Sequence, residues 1–178
     1  MHLSETTKDS KTVYNGKIFD VKLDTAILED NSEATREYII HHGGVCILPL
    51  TDKNEVIMVR QYRYPFSEVL LELPAGKLNK DEDHTVAGKR ELLEETGASA
   101  SQFDYMGQIY PIPAYTTEII HMYIARGLCF SNQQLDCDEF LDVVRIPFEK
   151  AVDMVLNNEI TDAKTQIAVM KAWIMLKK

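Results

Sequence analysis

Three glutamates, Glu91, Glu94 and Glu95, lie three and four residues apart in a stretch that reads as a helix over residues 83–96. Acids crowd its start, where the helix dipole favours them. Gly97 sits where a C-terminal cap wants left-handed backbone. Residues spaced this way share a helix face, so the three carboxylates project together within about 100° of the helical wheel. Like charges this close repel. Water tolerates them, but a dry site does so only if divalent cations neutralise them. An oxygen-only donor set selects a hard ion such as Mg²⁺ or Mn²⁺. Periodicity alone leaves a second reading open, a solvent-facing helix with ordinary ion pairs. Arg90 lies beside the acidic face, placed to pair with one glutamate and hold its rotamer. Ala87 and Gly88, one turn earlier, are small enough to admit a ligand or a neighbouring backbone, and Val86 and Leu93 are expected to face a core.

The chain has 178 residues, enough for one domain with a small appended element. Its 28 acids against 19 bases give a net charge of −9, which argues against non-specific binding to nucleic acid or an anionic membrane. An anionic substrate stays open, because bound cations invert local charge. Cys46, Cys129 and Cys137 form no disulfide framework and no CxxC pair, so they read as core or surface thiols in a reducing compartment. There is no apolar run of membrane-spanning length, and the polar start lacks a signal-peptide core. The expected location is the cytoplasm.

Residues 1–11 are polar and expected to fray. Residues 12–42 read as a small antiparallel unit, punctuated by Asn15-Gly16 and Asp30-Asn31-Ser32. The runs 45–50 and 56–60 are almost continuously apolar and flank a hairpin turn at 51–54, which predicts buried strands. Further strands are expected at 69–73, 103–110, 118–125 and 140–146. Two helices close the chain. One covers 148–157, with Pro147 as a first-turn residue. The other covers 161–176, capped by Thr161, with Ile167, Met170 and Ile174 at helical spacing. The class is α+β. His42 and His121 read as strand residues, His84 as an exposed helix-start residue, and Trp173 as core or dimer packing.

The wider spacing is more specific: Gly76, five residues, Glu82, seven residues, then Arg90-Glu91-Leu92-Leu93-Glu94-Glu95-Thr96-Gly97-Ala98. This resembles the Nudix box, G-x5-E-x7-R-E-U-x-E-E-x-G-U with U apolar. Every fixed position matches, and Ala98 is a small residue at the last apolar place. The resemblance implies the Nudix fold, a mixed β-sheet sandwiched between helices with the box as loop–helix–loop. It also implies hydrolysis of a nucleoside diphosphate linked to another moiety. Outside the box, Arg60-Gln61-Tyr62-Arg63, Leu71-Glu72-Leu73-Pro74-Ala75-Gly76, Pro113 and Asp162-Ala163-Lys164-Thr165 are similar to the ADP-ribose pyrophosphatase branch. That branch implies an N-terminal antiparallel β extension over 1–42 that exchanges with a partner chain in a homodimer, followed by the hydrolase domain over 43–178.

Carried over by this resemblance, Glu91, Glu95, Glu94 and the Ala75 carbonyl are the expected ligands of Mg²⁺, with Mn²⁺ as the other candidate. Glu82 either reaches the metal through water or supports the loop. The metal would neutralise diphosphate oxygens and lower the pKa of a bound water, whose attack would turn ADP-ribose into AMP and ribose 5-phosphate. The catalytic base comes from the box helix, where Glu94 is the candidate, or from the loop Asp136-Cys137-Asp138-Glu139. In that loop Glu139 is first and Asp138 second, the alternative being an exposed acidic turn. Arg63 resembles the branch's diphosphate or ribose contact, since a guanidinium binds phosphate in a bidentate way; a surface ion pair is the other reading. Arg60 is a lesser candidate. Glu72 either accepts from substrate hydroxyls or orients Arg63. Arg36 and His41 lie in the region that covers the base in relatives, and Arg36 occupies the place where an aromatic stacks on adenine, a task a guanidinium also performs; Tyr38 or Phe19 is the alternative.

Pro113 borders the substrate. Here Ile112-Pro113-Ala114-Tyr115 replaces the branch's Ser-Pro-Gly-Gly or Ser-Pro-Gly-Phe, which changes the backbone angles open to the loop and bears on substrate choice. Gly76 and Gly97 are expected to serve turn geometry alone. The partner expected is a small nucleoside diphosphate sugar, with neither nucleic acid nor membrane. The rivals are GDP-mannose hydrolysis within the branch and a non-catalytic nucleotide-sugar sensor. The intact box acids count against the sensor, and the flanking motifs count against a cleaner of oxidised nucleoside triphosphates.

Overall fold

Of the N-terminal residues expected to fray, 6–11 belong to an edge strand instead. In the computed structural model, which describes residues 3–135, 137 and 139–177, β1 (Thr6–Asn15) pairs antiparallel with β2 (Asp20–Ile27), and β2 with β3 (Glu33–Ile40). Every residue of β1 is exposed, so its polar composition is no obstacle, and the backbone ladder to β2 orders it. The first hairpin closes where the Gly16 N–H donates to the Phe19 carbonyl at 3.1 Å. The second turns at Asn31, whose φ of 66° lies in the left-handed region that asparagine tolerates. The extension is therefore a complete three-stranded sheet.

The rest of the chain continues as β4 (Gly44–Pro49), β5 (Glu55–Arg63), β6 (Glu68–Glu72), β7 (Ala75–Lys77), α1 (His84–Thr96), β8 (Ala98–Ile109), β9 (Ile120–Phe130), β10 (Leu141–Pro147), α2 (Phe148–Leu156) and α3 (Ala163–Leu176). The turn expected between β4 and β5 is present, with the Asn54 N–H on the Thr51 carbonyl at 3.0 Å. Beyond it the two strands part into different sheets. β5 lies between β10 and β6, both antiparallel to it, while β4 lies between β7 and β9 with β8 outside. β4 and β9 run parallel, Cys46 opposite Met122 and Ile47 opposite Tyr123.

Period-2 alternation then divides the core. Cys46, Leu48, Met122 and Ile124 face α2 and α3, packing with Phe148, Ala168, Val169 and Ala172. Val45, Ile47, Tyr123 and Ala125 face α1, packing with Ala87, Leu92 and Phe103. The mixed sheet is thus sandwiched between α1 and α3. Burial pushes the Cys46 thiol up to about 12.

The helix faces differ in detail from the sequence expectation. On α1, Ala87 and Leu92 meet the sheet, Val86 is exposed and Leu93 is half-buried. Gly88 makes room for the Phe103 ring rather than for a ligand; a Cβ there would come within 3.0 Å of it. On α3 the cap is Asp162, not Thr161, and accepts from the Thr165 N–H at 3.0 Å. Its buried stripe is Thr165, Ala168, Val169 and Ala172, leaving Ile167 and Ile174 exposed. Small residues win there because the helix lies directly on β4, β8 and β9. Trp173 packs edge-on against Phe148, centroids 5.2 Å apart, so it serves the core. Pro147 caps α2 instead of entering its first turn. His42 lies between β3 and β4, outside any strand. His84 is half-buried, stacked on His121 at 3.9 Å and hydrogen-bonded to the Tyr123 hydroxyl. No helix among the described residues is long and apolar enough to cross a membrane.

Candidate active site

The carboxylate helix is pinned at both ends. Asp83 accepts from the Thr85 and Val86 N–H groups at 2.9 and 3.0 Å. Gly97, at φ 68°, donates to the Leu93 carbonyl at 2.8 Å. Ahead of the helix, Glu82 accepts from the Asn79 N–H at 2.8 Å and pairs with Arg90 at 3.1 Å. These contacts support the loop, one of the two roles open to Glu82. Arg90 holds three glutamates rather than one, since its Nη1 also donates to Glu91 and Glu94, each at 2.8 Å.

Glu91 and Glu95 turn into the protein, 9% and 3% exposed. Glu95 Oε2 accepts from the Ala75 N–H at 3.1 Å. The Glu91 carboxylate lies directly over Gly76, where a Cβ would come within 1.9 Å of its Cδ. Gly76 is therefore part of the site, not only of a turn. Burial raises the pKa of both acids. For Glu95 it carries the value to about 8; the Ala75 N–H opposes this, while the charges of Glu91 and Glu139 add to it. For Glu91, Arg90 opposes and Glu94 and Glu139 add.

These are the marks of an anionic pocket with too little built-in positive charge. Its donors are all oxygen, which fits a hard divalent cation. Among the described residues, no three acidic, histidine or cysteine side chains already converge as they would around an ion. Glu91 and Glu94 are turned to Arg90 instead.

The loop bearing Glu139 is tied to the end of α1 through backbone carbonyls. Ser131 N–H donates to Gly97 O at 2.7 Å, Gln134 N–H to Glu94 O at 2.9 Å and Gln133 Nε2 to Glu95 O at 2.6 Å. A Cβ on Gly97 would meet the Ser131 carbonyl at 2.2 Å. Glu139 is half-buried, and its charge is felt by both Glu91 and Glu95. Asp138 and Asp136 lie outside the described residues.

At the end of β6, Glu72 is almost fully buried and takes a fork from Arg63, Nε to Oε1 at 2.6 Å and Nη2 to Oε2 at 2.7 Å. Glu72 thus orients Arg63. Lys164 donates to Glu72 Oε2 and to Asp162 at 2.9 Å, and Leu73 N–H donates to Thr165 Oγ1 at 2.8 Å. Burial alone would raise the Glu72 carboxyl, but Arg63 and Lys164 outweigh it and hold the group below the ordinary carboxylate value. Arg60, three residues from Arg63, leaves the other face of β5 and is exposed.

Arg36 and Pro113 meet in a separate place. A cavity of about 320 Å³ lies between the N-terminal sheet and the 113–117 loop, with Asp24, Arg36, Tyr38, Pro113 and Tyr115 in its wall. The loop is stitched to β3 by Ile39 N–H on Tyr115 O and Thr117 N–H on Ile39 O, both 2.9 Å. Arg36 is forked on Glu5 at 2.8 and 2.6 Å. Asp24 Oδ2 accepts from Tyr38 at 2.9 Å, while its Oδ1 is buried without a partner among the described residues. Sequence reading missed Asp24 and the 131–134 anchor, and held Lys164 only within the Asp162-Ala163-Lys164-Thr165 resemblance, without a role. Asp24 left a trace as an acid in a mostly apolar run.

The NUDIX domain family matches residues 40–169. The chain is 35% identical over 167 residues to a methanol dehydrogenase activator of Bacillus methanolicus, covering 93% of this chain and 90% of that one. It is 34% identical over 178 residues to an ADP-ribose pyrophosphatase of Bacillus subtilis, covering 99% and 95%. With a GDP-mannose pyrophosphatase of Escherichia coli it shares 33% over 135 residues, covering 70% and 69%. Its fold is similar to a crystal structure of an ADP compounds hydrolase, with a TM-score of 0.86, 22% identity, and 97% and 94% of the two chains covered. With the box glutamates carried on one capped helix and the family match spanning most of the chain, this protein belongs to the Nudix family.

Proposed function

We propose that this protein is a divalent-metal-dependent hydrolase that splits the diphosphate bond of ADP-ribose or a similar nucleoside diphosphate sugar, giving AMP and ribose 5-phosphate from ADP-ribose. The observation that carries the reading is the buried Glu91–Glu95 pair, packed on Gly76 and Ala75 and short of positive charge. Glu91, Glu94, Glu95 and the Ala75 carbonyl would hold Mg²⁺, or Mn²⁺ in its place. Such an ion neutralises diphosphate oxygens and acidifies a bound water. Glu139 faces the same pair and is the group to take the proton from the attacking water, a role that geometry must serve first. Arg63 binds the diphosphate through its fork. The Asp24–Arg36–Tyr38–Pro113 cavity takes the nucleoside, with Asp24 Oδ1 accepting from an N–H or a hydroxyl.

The exposed Val13, Tyr14, Ile18 and Phe19 around the first hairpin support a homodimer. The three free thiols suit the cytoplasm.

The test is hydrolysis with Mg²⁺ of a panel holding ADP-ribose, GDP-mannose, ADP-glucose, NADH and diadenosine polyphosphates. The Glu94→Gln/Glu95→Gln double variant runs as control. Metal-dependent AMP release from ADP-ribose, absent in the control, is the expected result. Preference for GDP-mannose would keep the chemistry and change the substrate. Tight binding without turnover of any compound would overturn the enzyme reading in favour of a sensor.

A further inference from the structure

Glu72 has more cation than it needs at rest. Its Oε2 accepts from both Arg63 and Lys164, and its Oε1 from Arg63 alone. The two cations are held differently. Arg63 lies on β5 with its side chain 36% exposed, free to swing outward. Lys164 is 14% exposed and fastened on its other side to Asp162, which itself caps α3. Thr165, next to Lys164, grips the Leu73 N–H, next to Glu72. The pair Lys164–Glu72 is thus held by Asp162 on one side and by the Thr165–Leu73 bond between its chain neighbours, and Arg63 is the more exposed member.

A side-on bidentate contact to a diphosphate uses Nε and Nη2, the nitrogens that Arg63 now gives to Glu72. If Arg63 were the sole partner, its departure would strand a buried carboxylate, one of the more expensive states in a protein interior. Lys164 removes that obstacle.

We propose that Lys164 is a positioning residue: it remains on Glu72 as a standing counter-cation, so that Arg63 can leave Glu72 for the substrate diphosphate. This rests on the substrate reading above. Arg63 then exchanges one carboxylate for phosphate oxygens, while Glu72, Lys164 and Asp162 stay as they are.

The experiment is a double-mutant cycle on hydrolysis of the panel's best substrate at saturating Mg²⁺. Lys164→Met is expected to raise KM about ten-fold with a much smaller change in kcat, and to add less than about two-fold in an Arg63→Ala background. Lys164→Arg should restore KM. Lys164→Met/Glu72→Gln should also recover most of it, since a neutral amide needs no counter-cation when Arg63 departs. This double variant also guards against poor folding of Lys164→Met, because it removes the buried Glu72 charge and leaves Asp162 its bond from the Thr165 N–H. Equal KM effects of Lys164→Met with and without Arg63, or no recovery by Glu72→Gln, would overturn the proposal and leave Lys164 a purely structural ion pair. No hydrolysis by the wild-type chain would overturn the substrate reading and this role with it.

Discussion

Glu72 and Glu95 are buried to nearly the same degree, 1% and 3% exposed. Their acid strengths nevertheless move in opposite directions. Glu72 lies below its ordinary value because Arg63 and Lys164 outweigh the burial that would raise it. Glu95 rises to about 8 because burial is met only by one N–H and a distant guanidinium, with Glu91 and Glu139 adding repulsion. Burial sets the stakes for a carboxylate, and the partners decide the outcome. One acid is finished by the fold. The other is left for something from solution to finish.

The comparison can be broken most sharply by removing each charge in turn. Glu95→Gln should lower metal-dependent hydrolysis by about 100-fold or more, at least the loss that groups merely orienting a ligand produce, while metal-free thermal stability at pH 8 is kept or improved. Steady-state rates and a melting scan on the same sample check it. Glu72→Gln should do the reverse to stability. It strips Arg63 and Lys164 of their shared anion, at a cost of about 3 kcal/mol, or roughly 10 °C in Tm for a chain of this size. Equal behaviour of the two variants in the melting scan would end the distinction.

Gly76→Ala sharpens it from another side. The added Cβ would lie 1.9 Å from Glu91 Cδ, a clash the side chain relieves by swinging away. The fold should hold, while the Mg²⁺ concentration for half-maximal activity rises about ten-fold, as when a ligand's support is lost; a metal titration reads it.

The comparison also shows in pH. Glu95 keeps its proton in the native state up to about 8 but ionises near 4.5 when unfolded. The native state then binds more protons, so the stability of metal-free protein falls as pH rises from about 4.5 to 8 and levels off above. The slope is at most about 1.4 kcal/mol per unit. Glu72 acts in the opposite sense: its contribution is present above its unfolded value and is lost as pH falls through its lowered one. Melting scans in chelator across this range should show the Glu95 slope, and Glu95→Gln should flatten it.

Much of the site was legible because its signals are local. The spacing from Gly76 to Gly97 specified the capped helix, and three glutamates at i, i+3 and i+4 gave the face. Arg63 beside Glu72 was also anticipated, as one of two alternatives. What was not legible depends on contacts distant in sequence. Lys164 reaches Glu72 across 92 residues. The strand over 6–15 is ordered by its pairing with β2, which polar composition does not announce. On α3 the sequence offered large apolar residues at helical spacing, yet Thr165, Ala168 and Ala172 took the buried face because the sheet lies too close for Ile167. Val86 failed in the same way on α1, where the core wanted Ala87 and Leu92.

The anchor between α1 and the 131–134 segment has a bearing on how such proteins diverge. Two of its four bonds among the described residues join backbone to backbone, and all four end on carbonyls of the last helical turn or its Gly97 cap. Half of the anchor is therefore written in main chain, and the side chains it uses are those of Ser131 and Gln133. A lineage can lengthen, shorten or recharge the acidic segment that follows and still deliver it to the same mouth of the site. New substrates become reachable by editing a loop whose mooring is indifferent to its cargo.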